Sequence, residues 1–261
     1  MATSARSHTD PALYDTAATD WWSGQVRWLR TLQNLVPARL REFDPVVGDW
    51  RGRKVLDLGC AGGFMAEAMA ARGALVTGLD PAVAAVAAGR ARSRATGSGV
   101  VYLGGTGEQL PLADDSFDVV VCVDVLEHVQ DLALVIGEVR RVLRPGGLFL
   151  FDTINRNPLS ALAVVTFAER VLGLLPPGTH RVEGFIRPGE LAVLLRRQGF
   201  TVGRMVGLGP RGLNSRLDVT FGRLPTKAIL YLGHARLADA DGCRRRGDAA
   251  GITRRGPARG R

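Results

Sequence analysis

Two acids stand at the ends of two short apolar runs early in the chain. Asp57 lies inside "VLDLGCAGGF" (55–64), and Asp80 ends "VTGLD" (76–80), 23 residues further on. Behind the first acid come Gly59, Gly62 and Gly63, which allow close backbone approach to a ligand and torsions that a side chain forbids. A carboxylate at the tip of a neighbouring strand can accept both hydroxyls of a ribose. The order Gly59-Cys60-Ala61-Gly62-Gly63 departs from the G-x-G-x-x-G of dinucleotide sites. Asp57 points the same way, since a carboxylate facing that turn repels a pyrophosphate and attracts an ammonium or a sulfonium. A ligand with a ribose, an adenine and a cationic amino-acid end satisfies both acids. S-adenosyl-L-methionine is such a ligand.

A second group of reactive side chains follows at Asp124, Glu127 and His128. Methyl transfer from a sulfonium is an in-line displacement that benefits from removal of a proton from the acceptor. His128 is the best placed of the four histidines to act as a general base, because it follows the end of the fourth strand candidate. His180 lies in a later segment that can face the substrate; His8 and His234 fall outside the motifs. Cys60 and Cys122 sit near strand ends with nothing beside them to lower a thiol pKa, so packing is their expected role.

The elements that would carry these residues form an alternating pattern. Strand candidates at 54–58, 74–79, 100–103, 117–123 and 148–153 are each followed by helix or turn signals, the signature of βαβ units and a parallel sheet. Phe64, Met65, Ala68 and Met69 recur at helical spacing. Asp80 is the expected cap of a helix starting at Pro81, and Asp131 of one carrying Leu132, Val135, Val139, Val142 and Leu143 on one face, with "RPGG" (144–147) as its stop. A helix at 188–198 and strands near 200–206 and 226–233 complete about seven strands. The fold class is therefore α/β: a Rossmann-like, seven-stranded, mostly parallel sheet with helices on both faces. Residues 1–44, with Trp21, Trp22 and Trp28, are expected as a helical extension. Residues 45–237 form the catalytic domain, 155–187 an insertion, and 238–261 a basic disordered tail.

Four segments in order, "VLDLGCAGGF", "VTGLD", "GTGEQLPLADDSFDVVVCVDVLEHV" (105–129) and "VLRPGG" (142–147), resemble the motifs of class I S-adenosylmethionine-dependent methyltransferases. The family pattern has glycine where Ala61 stands. A narrower resemblance, over roughly residues 13–237, rests on "YDTAATDWWSG", "LVPARL", "DTINRNPLSAL" and "LLPPGTHRVEGFIRPGEL". These are similar to the demethylubiquinol O-methyltransferases of quinone biosynthesis. That resemblance implies Arg39, Gly59, Asp80 and Val123 as cofactor contacts, to which Asp57, Gly62, Gly63 and Glu108 are added from the matched motifs. It also implies that Asp124, Glu127 and His128 stand where the family has a Glu-x-x-Glu-His set that would hold Mg²⁺, with Asp in place of the first Glu. The implied acceptor is a phenolic or quinol small molecule, here a polyprenylated quinone precursor. The alternative is a natural-product hydroxyl, amine or ring carbon methylated with the same cofactor.

Composition bounds these readings. The chain has 261 residues, 46% of them hydrophobic, enough to bury the core of one ordinary domain. Its net charge of +9 raises nucleic acid as a partner. Residues 238–261 alone hold seven Arg against three Asp, so much of the excess belongs to the tail and nucleic acid is not expected. Three scattered cysteines make no disulfide framework. With no apolar leader near the N-terminus, the expected location is the cytoplasm. No apolar run approaches the roughly 20 residues of a membrane span. The apolar segment 158–178 is expected to lie as a lid with peripheral contact at the inner face of the membrane, serving a tailed substrate.

Overall fold

The computed structural model describes residues 12–239 apart from 175 and 177. His8, Cys243 and all but the first two residues of the 238–261 tail lie outside the described residues. Nine strands form one sheet: β1 (Lys54–Leu58), β2 (Leu75–Asp80), β3 (Val101–Gly104), β4 (Phe117–Cys122), β5 (Leu143–Ile154), β6 (Phe200–Val202), β7 (Val206–Leu213), β8 (Val219–Leu224) and β9 (Leu230–Leu237). Their order is β3-β2-β1-β4-β5-β9-β7-β8, with β6 also paired to β9. The first five run parallel, and β9 joins β5 antiparallel.

Alternation along the strands divides the core into two layers. Val55, Val119, Val121, Leu148 and Leu150 face one layer. Their neighbours Leu56, Val120, Cys122, Phe149 and Phe151 face the other. The first layer is closed by α2 (Arg27–Val47) and α3 (Phe64–Ala70), through Leu35, Val36, Leu40, Phe43, Met65 and Met69. The second is closed by α5 (Leu132–Val142) and α7 (Pro188–Arg197), through Val135, Ile136, Val139, Leu191 and Leu195. Strands buried on both faces are continuously apolar, which is why the sequence pattern resolved them.

The α/β, Rossmann-like sheet expected from the sequence is the one found, with two differences. The strands expected near 200–206 and 226–233 are four. The β7–β8 hairpin contains Gly207, Gly209, Pro210, Gly212 and Gly222, residue types that depress strand propensity. Its register shifts between Pro210 and Gly212. The hairpin is secured to α2 by a bidentate pair, in which Nε and Nη2 of Arg30 each donate at 2.9 Å to Asp218. The second difference concerns α4 (Val83–Thr96), which starts two residues later than the Pro81 reading. Asp80 accepts from the Ala82 amide at 2.8 Å. The first free amides of the helix, those of Ala84 and Ala85, donate instead to Asp15 of α1 (Ala12–Thr16), at 2.8 and 3.3 Å. At α5 the expected cap is present, with Asp131 accepting from the amides of Ala133 and Leu134.

Between β5 and α7 the chain winds through α6 (Pro158–Ser160) and a π-helical stretch, Ala161–Val171. Asn157 caps α6 by accepting from the Ser160 amide at 3.0 Å. No helix among the described residues is long and apolar enough to cross a membrane.

Candidate active site

A cleft of about 310 Å³ opens beyond the carboxyl ends of β1, β2 and β4. Ligands bind at this position in open α/β sheets, where the strand order reverses. Of the expected cofactor contacts, Arg39, Asp57, Gly59, Asp80, Glu108 and Val123 line it. Gly62 and Gly63 do not. A Cβ on Gly62 would collide with the indole of Trp21, and one on Gly63 with the phenol of Tyr102. These two glycines are required by packing around the turn. Gly59, at φ +77°, also packs tightly, and a Cβ there would run into Val125. Ala61 is itself held at φ +44°, a conformation that costs a residue with a Cβ about 1–2 kcal/mol.

The two acids differ in how they are held. Both oxygens of Asp80 accept backbone amides at 2.8 Å, one from Ala61 in the turn and one from Ala82. Asp57 is 1% exposed, and its Oδ2 has no hydrogen-bond partner. Burial, with the Asp80 charge nearby, pushes the Asp57 carboxyl up to about 7. An unpartnered buried carboxylate in a cleft invites a cation, and S-adenosylmethionine fits the site on that ground. Cys60 also lines the cleft, but burial raises its thiol well above the usual range, as it does for Cys122, so neither is a nucleophile.

Arg39 crosses from α2 to the base of the cleft, 2% exposed. Its Nε donates to Asp152 and its Nη2 pairs with Asp124, each at 2.5 Å. Burial opposes its charge, and the two carboxylates restore it. The backbone amide of Asp124 donates to the other oxygen of Asp152 at 2.7 Å, and Asp124 takes φ +55° to do so.

A second cavity, of about 210 Å³, lies alongside. Its walls are apolar, drawn from Leu35, Val164, Leu174, Leu208 and Leu230 among others. Tyr14, Leu32, Asp124 and His128 line both cavities and mark their junction. Trp28 walls the second cavity and Trp21 the first. The two indoles meet edge to face at 6.1 Å, and Trp21 stacks on Phe64 at 5.3 Å. Nε1 of Trp22 donates to the carbonyl of Gly62 at 3.0 Å, which ties the N-terminal segment to the glycine turn.

At the edge of the second cavity the ring centroids of His128 and His180 lie 5.1 Å apart. Burial, then the neighbouring His180, holds the His128 imidazole down to about 3, so it is neutral at physiological pH. Glu127 is 3% exposed. Its Oε2 accepts from Thr153 at 2.7 Å, and burial pushes the carboxyl up to about 8. Donor atoms of Glu127, His128 and His180 lie within 4.8 Å of one another. Asp124, expected in this set, is absent from it. Its shorter side chain ends at Arg39 instead. One carboxylate and two imidazoles do not match the octahedral oxygen shell that Mg²⁺ demands.

Sequence reasoning did not single out Tyr14, Asp152 or Glu169. Asp152 reads as one more residue of a strand, and Tyr14 reaches the site only because α1 folds back over α4. Glu169 looked like an interruption in an apolar run. In the structure it is 2% exposed and accepts from Nδ1 of His180 at 2.8 Å.

Comparison with known proteins bears on this geometry. Residues 56–151 match a methyltransferase domain family. The chain is 39% identical over 224 residues to the ubiquinone biosynthesis O-methyltransferase of Alkalilimnicola ehrlichii, which covers 85% of this chain and 89% of that one. It is 42% identical over 204 residues to the enzyme of the same name from Pseudomonas aeruginosa, covering 77% and 86%. Among solved structures, the magnesium protoporphyrin IX methyltransferase of Synechocystis, with SAH bound, superposes with a TM-score of 0.62 at 17% identity, over 87% of this chain and 98% of that one. A methyltransferase from Thermotoga maritima does so with a TM-score of 0.58 at 20% identity, over 86% and 98%. Sheet order, cleft and matched domain together define a class I S-adenosylmethionine-dependent methyltransferase. Within that class the chain belongs to the ubiquinone biosynthesis O-methyltransferase family.

Proposed function

We propose that the enzyme methylates a ring hydroxyl of a catechol-type acceptor carrying an apolar tail, a polyprenylated quinone precursor of the kind its relatives' names imply. The observation that carries this reading is the junction. The cofactor cleft and an apolar cavity meet at Tyr14, Leu32, Asp124 and His128, so a ring seated there would present its hydroxyl to the cleft while its tail lay among aliphatic side chains.

Bound S-adenosylmethionine supplies a methyl group on a cationic sulfur, the leaving group of an in-line displacement. In this reading Asp57 and Asp80 hold its cationic and ribose ends, and Tyr14 and Trp21 keep water from the reacting centre. His128 receives the hydroxyl proton. The low basicity of the buried imidazole makes full transfer from a phenol before methylation strongly uphill. The proton therefore passes as the new O–C bond forms, when the oxygen has become far more acidic.

Leu159, Leu162 and Leu172 of the insertion are about half exposed (54%, 50% and 47%). They support peripheral contact with a membrane surface, from which a tailed acceptor would enter. The test is release of S-adenosylhomocysteine with polyprenylated, short-tailed and tailless catechols, with and without liposomes. Turnover that rises with tail length and with liposomes supports the reading. Equal or better turnover of water-soluble phenols overturns it.

A further inference from the structure

Trp21 carries a donor that no group among the described residues accepts. The residue is 2% exposed, and its Nε1 is buried without a hydrogen-bond partner. The adjacent Trp22 differs, since its Nε1 donates to the carbonyl of Gly62 at 3.0 Å. A buried N–H left unbonded is costly, so native structures rarely keep one without a reason. On the wall of a ligand cleft, the reason is a contact that the ligand completes. Trp21 lines the cofactor cleft and not the apolar cavity. Its ring lies over Gly62, stacks on Phe64 at 5.3 Å and meets Trp28 edge to face, so packing on three sides fixes the direction of the N–H.

The chemistry of the cofactor identifies the acceptor. S-adenosylmethionine ends in a zwitterion, with an ammonium and a carboxylate on one carbon. With the ammonium at Asp57, the carboxylate falls beside the turn that follows Asp57 in the chain, and Trp21 packs on that turn. The cleft offers this carboxylate little else. Asp57, Asp80, Glu108 and Asp124 repel it, and Arg39, the cation among the described lining residues, is already shared between Asp124 and Asp152. We propose that Trp21 is a cofactor-binding residue whose indole N–H donates to the carboxylate of S-adenosylmethionine. Asp57 and Trp21 then sort the two charges of the amino-acid end between them. The assignment holds whatever the methyl acceptor is.

The test compares two ligands on the full chain by calorimetry, without acceptor: S-adenosylmethionine and its decarboxylated form, which keeps the sulfonium and the ammonium and lacks the carboxylate. The unaltered protein should prefer S-adenosylmethionine by about tenfold or more, the worth of one hydrogen bond to a charged group. Trp21→Phe keeps an aromatic ring over Gly62 and removes the N–H. It should weaken S-adenosylmethionine about tenfold and the decarboxylated form about twofold at most, so that the preference collapses. Lost packing weakens both ligands alike and leaves their ratio standing, which separates a missing donor from a damaged cleft. If the smaller ring does not support the fold, benzothienylalanine at position 21, an indole isostere with sulfur in place of the N–H, gives the same readout. Trp22→Phe should keep the ratio, because the Trp22 N–H is already bonded to Gly62. A preference that survives intact without the Trp21 N–H overturns the proposal. So does an unaltered protein that binds the two ligands equally, or a preference lost as fully in Trp22→Phe.

Discussion

Nε of Arg39 lies 2.5 Å from Oδ2 of Asp152, joining the middle of α2 to β5 beneath the cofactor cleft. Both side chains are almost fully buried, and Asp152 also accepts the amide of Asp124. An N-terminal helix is thereby bound to the floor of the site, and the guanidinium holds Asp124 at the junction of the two cavities. Asp152→Ala removes one of the two carboxylates on a buried cation and leaves the Asp124 amide without its acceptor, and a loss of about 3–5 kcal/mol in urea unfolding is expected. The double variant Arg39→Met/Asp152→Leu should recover only part of that loss, since the Asp124 amide and carboxylate still lack partners. A single variant within 1 kcal/mol of wild type would mean that the pair holds nothing together.

The pH dependence of cofactor binding follows from Asp57. Its folded pKa is raised to about 7, so the folded protein holds a proton that the unfolded chain has already released. Its contribution to stability therefore declines as pH rises from about 4 to 7. A cation bound beside it favours the ionised form, so the affinity for S-adenosylmethionine should rise from pH 6 to pH 8. At pH 6 binding should release close to one proton. Calorimetry in two buffers of different ionisation enthalpy measures that release, and Asp57→Asn should abolish it. A binding heat that does not depend on buffer in the wild type would exclude Asp57.

Asp80→Ala should do more than remove a ribose contact. It leaves the half-buried amide of Ala61 and the buried amide of Ala82 without acceptors, at about 1–3 kcal/mol for the buried one. A fall in melting temperature should accompany at least a tenfold loss of cofactor affinity. Asp80→Asn keeps one acceptor oxygen and should lie between. Weak binding with an unchanged melting temperature would show that the turn does not depend on this carboxylate.

Gly63→Ala places a methyl against the Tyr102 phenol at φ +94°. Strain of about 1–3 kcal/mol is expected. Tyr102→Phe should relieve only part of it, since the backbone conformation persists. Gly62→Ala displaces Trp21 and should quench or shift its fluorescence. An unaltered emission spectrum would contradict the packing described.

Much of the architecture was legible because each signal is local. β1, β2, β4 and α5 announce themselves by apolar runs, by period and by Asp131, whose side chain caps the helix that follows it directly. Asp57, Gly59, Asp80 and Val123 reach the cleft because a strand tip and the turn behind it are contiguous in sequence. The β7–β8 hairpin escaped notice because its glycines and Pro210 carry little strand propensity, and its pairing with β9 comes from tertiary context.

The sequence by itself determined the parallel half of the sheet, the glycine turn and the pair of acids, since strand alternation and turn chemistry act over a few residues. Tertiary structure alone decided who answers whom across long separations. Asp15 caps α4, Arg39 claims Asp124, and Glu169 turns His180 toward Glu127 and His128. Those partnerships depend on side-chain reach and on which elements the core brings face to face. Asp124 pairs with Arg39, and the place expected for it beside Glu127 and His128 is taken by a histidine 56 residues away.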